Sequence, residues 1–350
     1  MEWGEFKLGD LFDSSNGNFD LQKEHINGKG DYVITAGLTN NGILGKTDIE
    51  ARLFDEKSIT VDMFGFAFYR DFKYKIVTHA RVFVLKPKFT ISQNQGLFLT
   101  NSLHFISKKF GYNNMCCWTK INEEIIQLPT KNGKIDFDFM ERFIAELETE
   151  RIAKLDAYLT ATNLKDCLLT AEEQKILEDF EKGTWDTFNV IDIFDVKNTK
   201  NILSRDVIAN SGVTPYLCAS TENNAVNTYI SYDENFIDKG NCVFIGGKTF
   251  VVTYQEKDFY SNDSHNLTLS LKNEKNRNKL TQFYLATCVN KSLGNKYSWG
   301  DSISNRKIQS DKVSLPTKNT QPDYALMETL ISAIQKMVIK NVVLYVNNKG

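Results

Sequence analysis

The chain has 350 residues, of which 41% are apolar and 25% charged. These proportions suit a soluble protein of two or three domains with room for real cores. No run of about 18 apolar residues marks a membrane span, and the start, Met1 to Asp13, is too acidic for a secretory signal. The net charge of −2 argues against DNA as a partner until it is divided along the chain. Residues 1–134 carry 17 Lys and Arg against 15 Asp and Glu, and residues 184–322 carry 16 against 14. Residues 135–183 carry 6 against 13, so the acid is concentrated between two mildly basic bodies. That distribution permits nucleic-acid binding without requiring it.

In chain order, the first notable segment is Trp3–Asp13, because it returns as Trp185–Asp195 with five of eleven residues identical. A strand-rich body interrupted by turns follows, with Tyr32, Asn40-Asn41 and His79 echoed by Tyr216, Asn223-Asn224 and His265. Ala80–Leu85 and Asn241–Ile245 are the clearest strands. Leu128-Pro-Thr-Lys-Asn132 recurs letter for letter as Leu315–Asn319, and nine of seventeen residues match over 128–144 and 315–331. A period near 185 residues means a duplicated domain, not a solenoid.

A helix is expected after each Leu-Pro-Thr-Lys-Asn. Met140, Ile144, Leu147, Arg151, Lys154 and Tyr158 are spaced 4-3-4-3-4, and Met327, Ile331, Ile334, Val338, Asn341 and Tyr345 keep that spacing. This is the pattern of a short coiled-coil seam, in which the polar members would fix partner and register; an ordinary amphipathic helix packed on its own domain has the same periodicity. Thr170 and Glu173 fit a capping box that starts a connecting helix over 171–181, with Ile176, Leu177 and Phe180 as its packing face and Gly183 as its end. Four regions result: strand-rich domain 1–134, helical region 135–183, strand-rich domain 184–322 and helical region 323–350. The fold class is α+β, two duplicated strand-rich domains joined by coiled-coil helices.

Catalytic signatures are missing. Five prolines include no Pro-Pro pair, which removes the Asn/Asp-Pro-Pro-aromatic motif of amino-methyltransferases. Gly246-Gly-Lys-Thr249 resembles the end of a P-loop, but Cys242 stands where the first Gly belongs, and Phe250–Tyr254 reads as strand where phosphate binding needs a helix. Asp323 and Glu328, like their counterparts Asp136 and Glu141, stand at a helix start, where acids suit the helix dipole. The six cysteines form no C-x-x-C pair and do not cluster with the four histidines, so reduced core thiols and no metal are expected in a cytoplasmic protein.

The layout resembles the specificity subunits of Type I restriction–modification systems and of the related Type IIB-like enzymes. The second half carries the resemblance best, in Thr214-Pro-Tyr-Leu217 before the Asn223-Asn224 turn, Phe244–Lys248 leading into Val251–Tyr254, Ser261–His265, Tyr284-Leu285, and Ile308 to Pro316. Many Type I members continue the closing Leu-Pro with Pro-x-x-Glu-Gln; here Leu128–Glu141 runs otherwise, in the manner of Type IIB-like and fused forms. The resemblance implies a DNA-reading subunit without catalysis, its two target-recognition domains, residues 1–134 and 184–322, reading a split, asymmetric site in double-stranded DNA, with the two helical regions packed antiparallel between them in pseudo-two-fold symmetry. It further implies an N6-adenine methyltransferase partner, usually in two copies and carrying S-adenosylmethionine, with a nuclease or translocase completing the complex. No cofactor is expected in this chain.

Polar and basic loop residues are the candidate DNA contacts, because Asn can pair with adenine, Arg with guanine, and Lys with phosphate. In the first domain these are Thr39, Asn40, Asn41, Arg70, Lys73, Lys75 and Arg81. In the second they are Asn223, Asn224, Lys248, Tyr254, Lys296, Tyr297, Ser298, Asn305 and Arg306. Asn295–Gly300 mixes charge with aromatics, and Trp299 reads equally as a buried residue. A duplicated peptide- or carbohydrate-binding scaffold would also explain the repeat, and an enzyme with an unrecognised site is the third class.

Overall fold

The computed structural model describes residues 1–349. Two compact units divide it, Met1–Leu155 and Asp156–Lys349. In the first, β1 (Glu2–Lys7), α1 (Leu8–Leu11) and β2 (Phe12–Asn16) lead to β3 (Asp31–Ile34), β4 (Ile43–Thr47), β5 (Ser58–Val61) and β6 (Ala67–Arg70). Then come β7 (Tyr74–Ile76), β8 (Phe83–Pro87), α2 (Gln93–Ser102), α3 (Trp118–Ile121), β9 (Ile125–Lys131), β10 (Lys134–Ile135) and the long α4 (Phe137–Ala161). These strands form three sheets, ordered β2-β8-β5-β6, β4-β3-β7 and β1-β9-β10.

The second unit takes in the last residues of α4, then α5 (Ala171–Asp179), and repeats that series. It comprises β11 (Trp185–Asn189), α6 (Val190–Ile193), β12 (Phe194–Asn198), β13 (Thr214–Leu217), β14 (Val226–Ile230), β15 (Cys242–Gly246) and β16 (Val251–Gln255). β17 (Tyr260–Ser261), β18 (Leu267–Leu271), α7 (Lys279–Leu293), α8 (Asn305–Ile308), β19 (Lys312–Lys318), β20 (Gln321–Pro322) and α9 (Tyr324–Lys349) complete it. Its sheets, β12-β18-β15-β16, β14-β13-β17 and β11-β19-β20, have the same order. Even the single parallel pairing recurs, β3 with β7 and β13 with β17. The duplication read from scattered identities is thus a duplication of topology.

The Leu-Pro-Thr-Lys-Asn repeat is a hairpin followed by a helix start. Asn132 and Asn319 take left-handed backbone (φ 53° in each), which turns β9 into β10 and β19 into β20. Asp136 and Asp323 then donate their amides to Pro129 and Pro316, at 2.8 and 2.9 Å. Their carboxylates accept the amides of Phe139 and Leu326, so both are N-caps. Glu141 and Glu328, in the early turns of the two helices, also reach beyond them. Glu141 accepts from Asn94 Nδ2 at 2.8 Å and from the Ser92 hydroxyl, and Glu328 accepts from Asn278 Nδ2 at 3.0 Å. Ser92 and Asn278 are the N-caps of α2 and α7, so each long helix is tied to the same point of its own domain.

The long helices bury a line other than the expected seam. Met140 and Ile144 join the first core, and Ile152 and Leu159 are buried further along; Leu147 and Tyr158 are exposed. In α9, Met327, Leu330, Ala333, Val343 and Val346 are buried, Ile331 is partly so, and Ile334, Val338 and Tyr345 are exposed. A 4-3-4-3-4 spacing stays on one face of a 3.6-residue helix. From Met140 to Leu159, and from Met327 to Val346, the buried line is one residue longer, so it slews by about 100° over five turns. The first turns lie on the domain core, through Met140 in one unit and Met327 and Leu330 in the other, and that contact sets their face. By length and hydropathy (1.3 over its most apolar stretch), α9 alone among the described helices could cross a membrane. It packs instead on α5 and α7.

α5 forms as its capping box requires. Thr170 accepts the Glu173 amide at 3.1 Å and Glu173 accepts the Thr170 amide at 2.8 Å. Glu173 also binds the Ser332 hydroxyl (2.6 Å) and Lys336 Nζ (3.0 Å) on α9. Burial pushes the Glu173 carboxyl up, but Ser332, the Thr170 amide and Lys336 together outweigh it and hold the pKa at about 2. None of the six cysteines is in a disulfide. Cys116, Cys242 and Cys288 are the core thiols, each pushed up to about 12 by burial; Cys117, Cys167 and Cys218 are only partly buried.

Candidate nucleic-acid interface

The Asn-Asn pairs stand at the tips of the β3–β4 and β13–β14 hairpins. Asn40 and Asn41 have φ of 48° and 51°, and Asn223 and Asn224 have 47° and 53°. Asn tolerates two consecutive left-handed residues, which a tight hairpin tip demands. Asn40 Nδ2 bonds Ile43 O at 3.3 Å, and Asn223 Nδ2 bonds Val226 O at 3.0 Å. All four Asn residues, and Thr39, are exposed.

Beneath each tip lies a buried clamp. Arg70 is only 2% exposed; it bonds Asn41 O (2.8 Å) and Thr60 Oγ1 (2.9 Å) and lies over the Phe68 ring. Burial lowers its pKa to about 10. Gln255 holds the equivalent place on β16, donating to Asn224 O at 2.9 Å. Four expected contact residues are therefore internal. Besides Arg70, Lys75 (6% exposed) is spent on Ile49 O, Thr47 O and Asp31, far from the hairpin tip. Tyr254 is buried with its hydroxyl on Asn241, and Tyr297 is buried with its hydroxyl on Asp311, at 2.6 Å. Burial first, then Asp311, raises the Tyr297 pKa. A charged or polar group that is already desolvated and paired has nothing left to offer a groove.

The β5–β6 and β15–β16 turns come next to the Asn-Asn tips. Asp62 accepts the Gly37 amide at 2.8 Å in the first unit, and Thr249 donates to Ala219 O at 2.9 Å in the second. The Gly246-Gly247 pair serves close packing. A Cβ on Gly246 would lie 2.6 Å from Ala219 Cβ, and one on Gly247 2.4 Å from His265 O. Lys248 is exposed in this turn and pairs with Asp263 at 3.1 Å.

A third loop completes the group. In the first unit, Gly111 and Asn114 bridge to form a four-residue turn; in the second, Ser298 and Asp301 do so. Cys116 donates its amide to Met63 O at 2.8 Å, joining this loop to the β5–β6 turn, and the Phe250 and Tyr297 rings, 5.5 Å apart, make the matching junction. Each unit thus gathers three loops: the Asn-Asn tip, the adjoining hairpin turn and the four-residue turn. Thr39, Asn40, Asn41, Asn223, Asn224, Lys248, Lys296 and Ser298 belong to these groups. Lys73, Arg81 and Arg306 are exposed outside the three loops, and Asn305 is half-buried, its amide on Val196 O at 3.4 Å. His79 and His265 each place Nδ1 on an aspartate, Asp20 at 2.7 Å and Asp263 at 2.8 Å. The His79 amide and ring hold Asp20 at a pKa of about 2.

Sequence reasoning missed Phe64 and Tyr112 and left Trp299 undecided. Trp299 is 79% exposed. A signal for Tyr112 existed, because the offset of 187 seen at Leu128 and Leu315 also pairs Lys109, Lys120 and Ile121 with Lys296, Lys307 and Ile308.

Two copies of one α+β domain, each followed by a long helix and presenting a face of converging loops, define a duplicated recognition protein. Residues 1–157 and 182–344 match the family described as Type I restriction modification DNA specificity domain. The chain belongs to that family and is a specificity subunit of a restriction–modification system. It is 23% identical to the Type II restriction enzyme specificity subunit S.BcgI of Heyndrickxia coagulans, over 97% of this chain and 96% of that one. A Type I restriction–modification S subunit from M. genitalium has a similar fold, with a TM-score of 0.62, 14% identity, and coverage of 99% of this chain and 92% of that one.

Proposed function

We propose that the chain reads a bipartite, asymmetric DNA site, one half-site per domain, and docks an N6-adenine methyltransferase in two copies that brings S-adenosylmethionine. A nuclease or translocase completes the complex, and the chemistry belongs to the partners. The observation that carries this reading is the repeated loop face, constant in scaffold and different in sequence. Asp62-Met63-Phe64-Gly65-Phe66 in one domain corresponds to Gly246-Gly247-Lys248-Thr249-Phe250 in the other. Two readers with one frame and different loops select two different half-sequences. The docking surface is the exposed apolar side of the long helices, centred on the matched pair Leu147 on α4 and Ile334 on α9. An apolar strip on a long helix is unusual unless a partner covers it. Family membership weighs against the peptide- or carbohydrate-binding scaffold.

The test is to purify the tagged chain from its own cells, identify what accompanies it, and map methylated adenines across the genome. The expected result is a methyltransferase and a motif of two unlike halves around an unread gap. A chain that purifies alone, in cells whose methylation does not change when the gene is deleted, would overturn the reading.

A further inference from the structure

The four-residue turns Gly111–Asn114 and Ser298–Asp301 are held by the same cradle in both units. At its base, Lys109 pairs with Glu124 at 2.6 Å, and Lys296 pairs with Asp311. On its flank, Lys120 bonds Asn114 Oδ1 at 2.8 Å, and Lys307 bonds the carboxylate of Asp301. Lys120 lies 5.9 Å from the centroid of Phe110, and Lys307 lies 5.7 Å from that of Tyr297. Each of these residues is 187 positions from its counterpart.

On this shared frame stands one aromatic side chain per unit, Tyr112 (75% exposed) or Trp299 (79% exposed). Tyr112 meets Phe64 in an edge-to-face pair, with ring centroids 5.0 Å apart, in the turn beside the Asn-Asn tip. An exposed aromatic is common; two at matched places on a duplicated ion-paired cradle are not explained by packing. We propose that Tyr112 and Trp299 are DNA contacts, each wedging its ring against a base step of the half-site that its own domain reads.

This inference rests on the proposed DNA reading and adds a specific contact to it. The choice of DNA over a protein partner follows from how the two turns differ. Two copies of one partner subunit would need the same surface twice. Here the frame is constant while the presented residues change, Tyr112-Asn113 becoming Trp299-Gly300. Constant support under a variable tip suits two unlike half-sequences. The tips also belong to the loop group that carries the Asn-Asn pairs, and an aromatic face adds stacking that every base can accept.

The experiment uses the full chain with its co-purified partner, and duplex DNA carrying the site found by methylation mapping. Affinity is measured for Tyr112→Ala, Tyr112→Phe, Trp299→Ala and Trp299→Phe, beside thermal unfolding of each. Each alanine variant should bind about ten-fold more weakly or worse, with an unchanged unfolding midpoint and an unchanged salt slope, because no phosphate contact is lost. Each phenylalanine variant should recover most of the affinity. Alanine variants that bind as wild type does would overturn the inference while leaving the DNA reading intact. Loss of the co-purified partner with duplex affinity unchanged would assign the tips to a protein contact and overturn it as well. Absence of any sequence preference in the wild-type complex would instead bring down the proposed function, and this inference with it.

Discussion

Arg70 and Gln255 show how one position can matter without touching a ligand. Both are buried, both donate to the carbonyl of the second left-handed Asn, and they differ in residue type. An Arg in a loop-rich segment reads as a guanine or phosphate contact, because the sequence does not reveal which way a strand-end side chain points. Here it points inward, over Phe68, and holds the loop from beneath. Arg70→Ala should leave Asn41 O and Thr60 Oγ1 short of a donor at a cost of about 1–3 kcal/mol. The Asn40-Asn41 tip should loosen, so discrimination at the first half-site should fall while the second half-site is read as before. Urea unfolding and methylation mapping of the variant measure the two effects. Equal loss at both half-sites would show that Arg70 acts on the whole chain.

Other residues were legible for physical reasons. The strand read at Phe250–Tyr254 and the capping box at Thr170 depend on local chemistry; the strand runs Val251–Gln255, with Phe250 left in the turn, and the capping box forms as read. The aromatic tips were not legible in that way, since exposure depends on what the rest of the chain covers. Lys75 failed likewise, because a Lys between β-branched and aromatic residues can either reach solvent or bend back to carbonyls, and only the fold decides.

Elements repeat more faithfully than residues do. α4 and α9 begin on matching N-caps and are tied by Glu141 and Glu328 to the N-caps of α2 and α7. The seam was misplaced because heptad reasoning assumes one neighbour along the whole helix, whereas these helices change surroundings as they leave their domains. α9 has an additional clasp to α5 through Glu173, with no equivalent on α4, where Ala145 and Thr149 replace Ser332 and Lys336. The Glu173 pKa falls from 4.5 to about 2 on folding, so its stabilisation is complete above pH 4.5 and is lost as pH drops towards 2. Glu173→Gln should therefore destabilise the second unit at pH 7 by about 1–2 kcal/mol and flatten its acid dependence between pH 4.5 and 2. Denaturant midpoints across that range test this. A variant as acid-sensitive as wild type would mean that other carboxylates dominate.

At the scale of the whole molecule, the proposed bipartite reading requires that something fix how far apart the half-sites are. The long helices are the rigid parts available. At 1.5 Å per residue the 25 residues of α4 span about 37 Å, close to one turn of B-DNA. Because Glu141 fastens the start of α4 to its domain, added length can be taken up only beyond that tie. Inserting one helical turn after Ile152 should leave both half-sequences unchanged and alter the unread gap between them. Methylation mapping reads this directly. A changed gap with unchanged halves would make the helix a spacer; a changed half-sequence would show that helix and reading loops are coupled; an unchanged gap would place spacing in the partner subunits. The first outcome is expected, since the loop groups are built on hairpins and turns that α4 does not enter.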